Sequence, residues 1–203
     1  AHRNGGRGPD EVPTPKSLSG LGARVIVGDG NSLTQGSGAA AGSAYPDQLR
    51  ALFYGQDTGV VNLGVGGKTT AQLTSDFAGK VQPYFIPGAE LVFFEAVNSI
   101  GGGSTAAQEL ALQKTYVAQA RAAGWRVRVC TAPPTANASA ATIDAFNVLL
   151  RADHAWADAF TDLAACPELT PAGDVANPTY YFDTIHLKAA GYGVLAAKLY
   201  ADL

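Results

Sequence analysis

The chemically capable groups of this chain are a serine bracketed by glycines and, far from it, a carboxylate and an imidazole three residues apart. Ser32 stands in Gly28-Asp29-Gly30-Asn31-Ser32-Leu33-Thr34-Gln35-Gly36, directly after the apolar run Val25-Ile26-Val27. A serine carried at the tip of a strand, with glycine on either side to allow a sharp turn, is placed to act as a nucleophile. The other reading of Ser32 is an N-cap for the segment that follows. Asp183-Thr184-Ile185-His186 supplies what a nucleophilic serine needs. At this spacing the carboxylate can reach Nδ1–H of the imidazole and leave Nε2 to take the hydroxyl proton. The chemistry these groups would do is acyl transfer through a covalent serine ester.

Acyl transfer also requires donors for the negative oxygen of a tetrahedral intermediate. Two segments can provide them. In Asn62-Leu63-Gly64-Val65-Gly66-Gly67-Lys68-Thr69-Thr70 the glycines allow close backbone approach, and the N–H of Gly67 could face an oxyanion. A phosphate-binding loop is the rival, because the run ends in Gly-Lys-Thr, but Asn62 occupies the position of the first glycine in G-x-x-x-x-G-K-[ST]. A plain tight turn is the third reading. Asn98 follows the apolar run Val92-Phe93-Phe94 and can donate from its side-chain amide or simply form a turn. Glu95, a carboxylate at the end of that run, reads as a loop-bracing acceptor before a second catalytic acid. His2 and His154 have no neighbours at metal-ligand spacing, so no metal site is expected.

The elements that must position these groups alternate. Strand-like apolar runs are expected at 24–29, 60–63, 91–95, 126–130 and 159–163, and helical spacing at 45–53, 105–123, 140–152 and 188–203. That alternation predicts an α/β fold: a three-layer α/β/α sandwich of about five parallel strands, flavodoxin-like, with ligands at the carboxyl ends of the strands. Residues 1–22, rich in Gly, Pro and charge, read as a flexible arm or linker, and 23–203 as one catalytic domain. The arm could tether the domain to a longer, modular protein, which would favour an extracellular setting.

Composition excludes several classes. With a net charge of −3 and no basic run, the 203-residue chain is not expected to bind nucleic acid. Its apolar stretches are far short of the roughly 20 residues of a membrane span. Cys130 and Cys166 are too few for a disulfide scaffold; one bridge and two buried thiols both fit.

Taken in order, Ser32 in G-N-S-L-T-x-G, Gly67 in N-x-G-x-x-G, Asn98 after an apolar strand and D-x-x-H at Asp183 and His186 resemble the four blocks of the SGNH, or GDSL-type, hydrolases. The resemblance runs from about Arg24 to the C-terminus. It implies Ser32 as nucleophile and, through its N–H, as one oxyanion donor beside Gly67 N–H and the Asn98 amide. It also implies His186 as base, Asp183 as its orienting partner, and no cofactor. Two positions depart from the family pattern: Asn31 replaces its usual Asp before the nucleophile, and Ser99 its usual Asp after the oxyanion-hole Asn. The substrate implied is a small-molecule or carbohydrate ester, with O-deacetylation of a carbohydrate as the first expectation. The alternatives are a thioesterase or lysophospholipase, and a catalytically silent carbohydrate-binding module on the same fold.

Overall fold

In the computed structural model, residues 22–169 and 177–203 are described. Five strands, β1 (Arg24–Gly30), β2 (Thr58–Asn62), β3 (Glu90–Phe94), β4 (Arg126–Cys130) and β5 (Ala159–Thr161), pair in parallel in the order β2-β1-β3-β4-β5. This is the flavodoxin-like order, with its switch point at β1, so that the loops leaving β1, β2 and β3 converge on one crevice. Strand β3 is buried at every position, as expected where helices cover both faces of a parallel sheet.

Helices α2 (Tyr45–Leu52) and α7 (Ala189–Asp202) pack on one another over one face. On the other lie α3 (Thr70–Lys80), α5 (Ala106–Ala122) and α6 (Ala140–Ala152), α5 touching both its neighbours. Two short helices, α1 (Ser32–Gln35) and α4 (Val97–Gly101), begin just beyond the ends of β1 and β3.

Helix α3 has no counterpart among the helices expected from hydrophobic spacing. Few of its residues face the core, chiefly Leu73 and Phe77, and its start is marked instead by a capping box in which Thr69 and Gln72 satisfy each other's backbone amides. Strand β5 is shorter than expected. Asp162 turns out of the strand to accept from Thr131 Oγ1 at 2.8 Å and from Arg151 at 2.7 and 2.9 Å, and Leu163–Ala165 close into a 3-10 turn. Of the two alternatives for the cysteines the structure takes the second: Cys130 and Cys166 are buried thiols. Apart from Gly22, the stretch expected to be an arm lies outside the described residues.

Beneath the end of β1, Asp29 is completely buried and accepts three hydrogen bonds, from Lys80 Nζ at 2.7 Å, Tyr116 Oη at 2.6 Å and Gly30 N at 3.0 Å. Lys80 belongs to α3 and Tyr116 to α5, so one carboxylate joins the sheet to two helices. Removing one partner of a buried ion pair strands the other charge. Lys80→Met should therefore lower unfolding free energy at neutral pH by about 3–5 kcal/mol, read from urea titration. An unchanged midpoint would show that Asp29 does not rely on the ammonium.

Candidate active site

The chain leaves β1 through Gly30 and Asn31. The Asn31 side chain accepts the Leu33 N–H at 2.8 Å, so Asn31, not Ser32, caps α1. This removes the capping role as the account of Ser32. As the first helical residue, Ser32 has a backbone N–H with no partner inside the helix. Its hydroxyl lies 2.9 Å from His186 Nε2.

His186 and Asp183 sit on the segment that leads into α7, and backbone pairing sets their geometry. Tyr181 and Leu187 form an antiparallel bridge, and the Phe182 N–H donates to the His186 carbonyl at 2.9 Å. Both bridge residues are buried, which anchors the segment while its polar tip stays accessible. Asp183 Oδ1 accepts the N–H groups of Ile185 and His186 at 2.8 and 2.7 Å, and Oδ2 lies 2.8 Å from His186 Nδ1. Burial pushes the Asp183 carboxyl up, but the hydrogen bonds from the His186 amide, the imidazole and the Ile185 amide outweigh it and hold the group below its ordinary value. Tyr192 of α7 donates to the Ser37 carbonyl at 2.7 Å, tying the helix that follows His186 to the loop that follows Ser32.

The glycine loop after β2 lies against α1. A Cβ at Gly64 would collide with the Gln35 backbone, and one at Gly66 would come to 3.8 Å from Ser32 Cβ. Gln35 Oε1 accepts the Gly66 N–H at 3.1 Å. Gly67 has φ +79°, which favours glycine, and its N–H makes no hydrogen bond among the described residues. Asn98, in α4, donates through Nδ2 to the Lys68 carbonyl at 3.0 Å, so the amide adjoins the Gly67 loop with one of its two hydrogens committed. The structure thus brings Ser32, Asp183 and His186 into one hydrogen-bonded run and sets Asn98 against the Gly67 loop beside α1.

Two residues with no distinguishing sequence signal complete the surroundings. Gln35 holds the glycine loop, and Glu109, from α5, lies completely buried behind it. Glu109 Oε1 accepts from Thr70 Oγ1 at 2.6 Å and Gln113 Nε2 at 3.0 Å. Glu95 Oε1 accepts Ser99 N–H at 2.9 Å and lies 3.3 Å from Ser99 Oγ. Burial pushes the Glu109 carboxyl up from 4.5 to about 7, against the pull of its bonds to Thr70 and Gln113. Glu95 is raised well above its ordinary value, by burial first and by the neighbouring Glu109 second. Among the described residues no group of three or more His, Cys, Asp or Glu side chains is arranged to hold a metal ion, and no helix is long and apolar enough to cross a membrane.

The GDSL-like lipase/acylhydrolase family model matches residues 30–194, most of the chain, and the chain belongs to that family of ester hydrolases. Solved structures share its fold. An acetylxylan esterase from Geobacillus stearothermophilus superposes with a TM-score of 0.71 at 16% identity, covering 90% of this chain and 95% of that one. A lipolytic protein of the G-D-S-L family from Veillonella parvula gives 0.74 at 15% identity, over 87% and 96%. A GDSL-like lipase from Bacteroides thetaiotaomicron gives 0.68 at 18%, over 93% and 89%. A search of curated proteins returns no significant match.

The raised Glu109 carboxyl carries a consequence for stability. Its proton is held more tightly in the folded than in the unfolded chain, so stability falls as pH rises from about 4.5 to about 7. Glu109→Gln keeps the shape and cannot ionise. In thermal melts, the variant's melting temperature minus that of the wild type should therefore increase between pH 5 and pH 8. A difference independent of pH would show that Glu109 is ionised throughout.

Proposed function

We propose that the chain is a serine esterase that transfers an acyl group from a carboxylic ester to Ser32 and then to water. The observation that carries this reading is the hydrogen-bonded run from Ser32 Oγ through the His186 imidazole to Asp183, 2.9 and 2.8 Å long. His186 Nε2 takes the hydroxyl proton as Ser32 Oγ attacks the ester carbonyl, and Asp183 holds the tautomer and stabilises the imidazolium. The tetrahedral oxyanion is met by the N–H groups of Ser32 and Gly67 and by the second amide hydrogen of Asn98, donors of a kind each worth about 2.7–4 kcal/mol. Collapse returns the proton from His186 to the leaving alcohol, and water repeats the sequence on the acyl-enzyme. No step calls for a cofactor or a metal.

For the substrate, we infer a small acyl group on a carbohydrate, acetyl first. Phe182, immediately before Asp183, is 61% exposed and offers an aromatic face to a sugar ring. The shared fold of an acetylxylan esterase agrees with that class. We further propose that 23–203 acts as one catalytic unit.

Ser32→Ala should abolish covalent labelling by a fluorophosphonate probe and lower turnover of p-nitrophenyl acetate by orders of magnitude, with an unchanged melting temperature. Undiminished turnover would overturn the assignment. A ladder of p-nitrophenyl esters from acetyl to long acyl, beside acetylated xylooligosaccharides and acyl-CoA, separates deacetylation from lipase and thioesterase activity.

Asp183→Asn should cut kcat by up to about 10⁴ by leaving the imidazole in the wrong tautomer. Wild-type turnover should also fall in acid, because a protonated imidazole cannot accept the serine proton. A harmless Asp183→Asn together with a flat profile from acid to neutral pH would reject the Ser-His-Asp mechanism.

A further inference from the structure

The two loops that carry Gly67 and Asn98 leave different strands, yet an oxyanion hole requires their donors to converge within a fraction of an ångström. Two hydrogen bonds staple them together above the sheet. Asn98 Nδ2 donates to Lys68 O at 3.0 Å, and Thr70 N donates to Ser99 Oγ at 2.9 Å. The second staple rests on two buried acids, one at each end. The Ser99 hydroxyl, having accepted from Thr70, has its own proton free to donate to Glu95 Oε1 at 3.3 Å, and the same oxygen accepts the Ser99 N–H at 2.9 Å. Thr70 Oγ1 donates to Glu109 Oε1 at 2.6 Å. Gln113 closes the group from α5, its Nε2 donating both to Glu109 Oε1 and to the Glu95 carbonyl.

We propose that Glu95 and Glu109 are positioning residues for the candidate oxyanion hole: from behind, they hold Ser99 and Thr70 so that the Asn98 amide and the Gly67 N–H meet at one point. This inference rests on the reading of Ser32, Gly67 and Asn98 given above.

Below about pH 7, where Glu109 keeps its proton, the bracket works with neutral acids. Glu95 is 1% exposed and Glu109 0%, and Glu95 Oε2, Glu109 Oε2 and Gln113 Oε1 have no hydrogen-bond partner among the described residues. A buried carboxylate with no counter-ion and one oxygen unpartnered is costly, so burial favours the protonated form of each acid. Two unpaired carboxylates side by side in such a site would also repel. The cation of the glycine loop, Lys68, is 2.8 Å from Asp76 and so engaged elsewhere. Neutrality also suits the chemistry, because an ionised carboxylate behind the hole would oppose the negative charge that develops in front of it. The serine at 99 fits the same logic. It links the loops through a hydroxyl where an aspartate would bring a third carboxyl into the group.

The test is a double-mutant cycle with p-nitrophenyl acetate as substrate. Glu109→Leu should lower kcat by about 10–100-fold with KM unchanged, whereas Glu109→Gln, the isostere of the neutral acid, should stay within about threefold of wild type. In an Asn98→Ala background the loss from Glu109→Leu should shrink severalfold, because one of the two donors that the bracket brings together is already gone. Should Glu109→Leu fail to fold, Ser99→Ala cuts the same link with the loss of one hydroxyl and carries the same expectation. Losses that simply add to that of Asn98→Ala, an effect on KM alone, or a Glu109→Gln as impaired as Glu109→Leu would each overturn the proposal. If Ser32→Ala and Asn98→Ala reduce turnover but the bracket variants do not, the bracket fails and the site reading stands. If Ser32→Ala or Asn98→Ala leaves turnover intact, the site reading fails and takes the bracket with it.

Discussion

A completely buried carboxylate, Asp29, is the constraint around which the crevice is organised. It lies two residues before the turn that presents Ser32, and burying it without partners would cost far more than any single contact returns. Lys80 and Tyr116 supply the partners at 2.7 and 2.6 Å, and to do so α3 and α5 must lie close against the sheet at its carboxyl edge. The same two helices deliver Thr70 and Glu109 to the back of the crevice. Satisfying one charge beneath β1 therefore also sets the placement of the loops on which Gly67 and Asn98 stand.

The crevice is assembled from contributions of two kinds. The serine, glycine and asparagine segments lie at the ends of β1, β2 and β3, where strand pairing leaves little freedom. His186 and Asp183 come from a segment outside the sheet whose geometry is local: a bridge between Tyr181 and Leu187, and a carboxylate that accepts two backbone amides within three residues. A local motif of this kind stays preformed whether or not the serine is present. What must be achieved over distance is the single approach of Nε2 to the serine hydroxyl.

Much of this is legible in the sequence, for physical reasons that differ by element. Buried parallel strands such as β3 read as continuous apolar runs, and the alternation of such runs with helical spacing is enough to predict the layered fold. Ser32, Asp183 and His186 can be picked out as candidates because the chemistry proposed for them depends on residue type and on short spacings. The helix α3 is not visible to hydrophobic periodicity because two of its buried positions are a threonine and a lysine serving polar partners; the cap at Thr69 and Gln72 is its only local signal. Glu109 is hidden for a related reason. Within α5 it looks like an ordinary first-turn acid, and only the tertiary approach of Thr70 and Ser99 gives it a role. Asn31 shows the converse: where the chain departs from the family pattern, its side chain still caps α1, a role an aspartate fills equally well.

The contact between Ser32 and His186 joins positions 154 apart in the chain, and the helix that clamps it, α7, follows all five strands of the sheet. A chain growing from its N-terminus would complete β1, the glycine loop and α4 while the imidazole had not yet been made. Until α7 docks and Tyr192 reaches the Ser37 carbonyl, nothing ties the segment carrying His186 to the loop after the serine through that bond. On the reading proposed for Ser32 and His186, biosynthesis in this order would keep the nascent polypeptide chemically inert until α7 has docked.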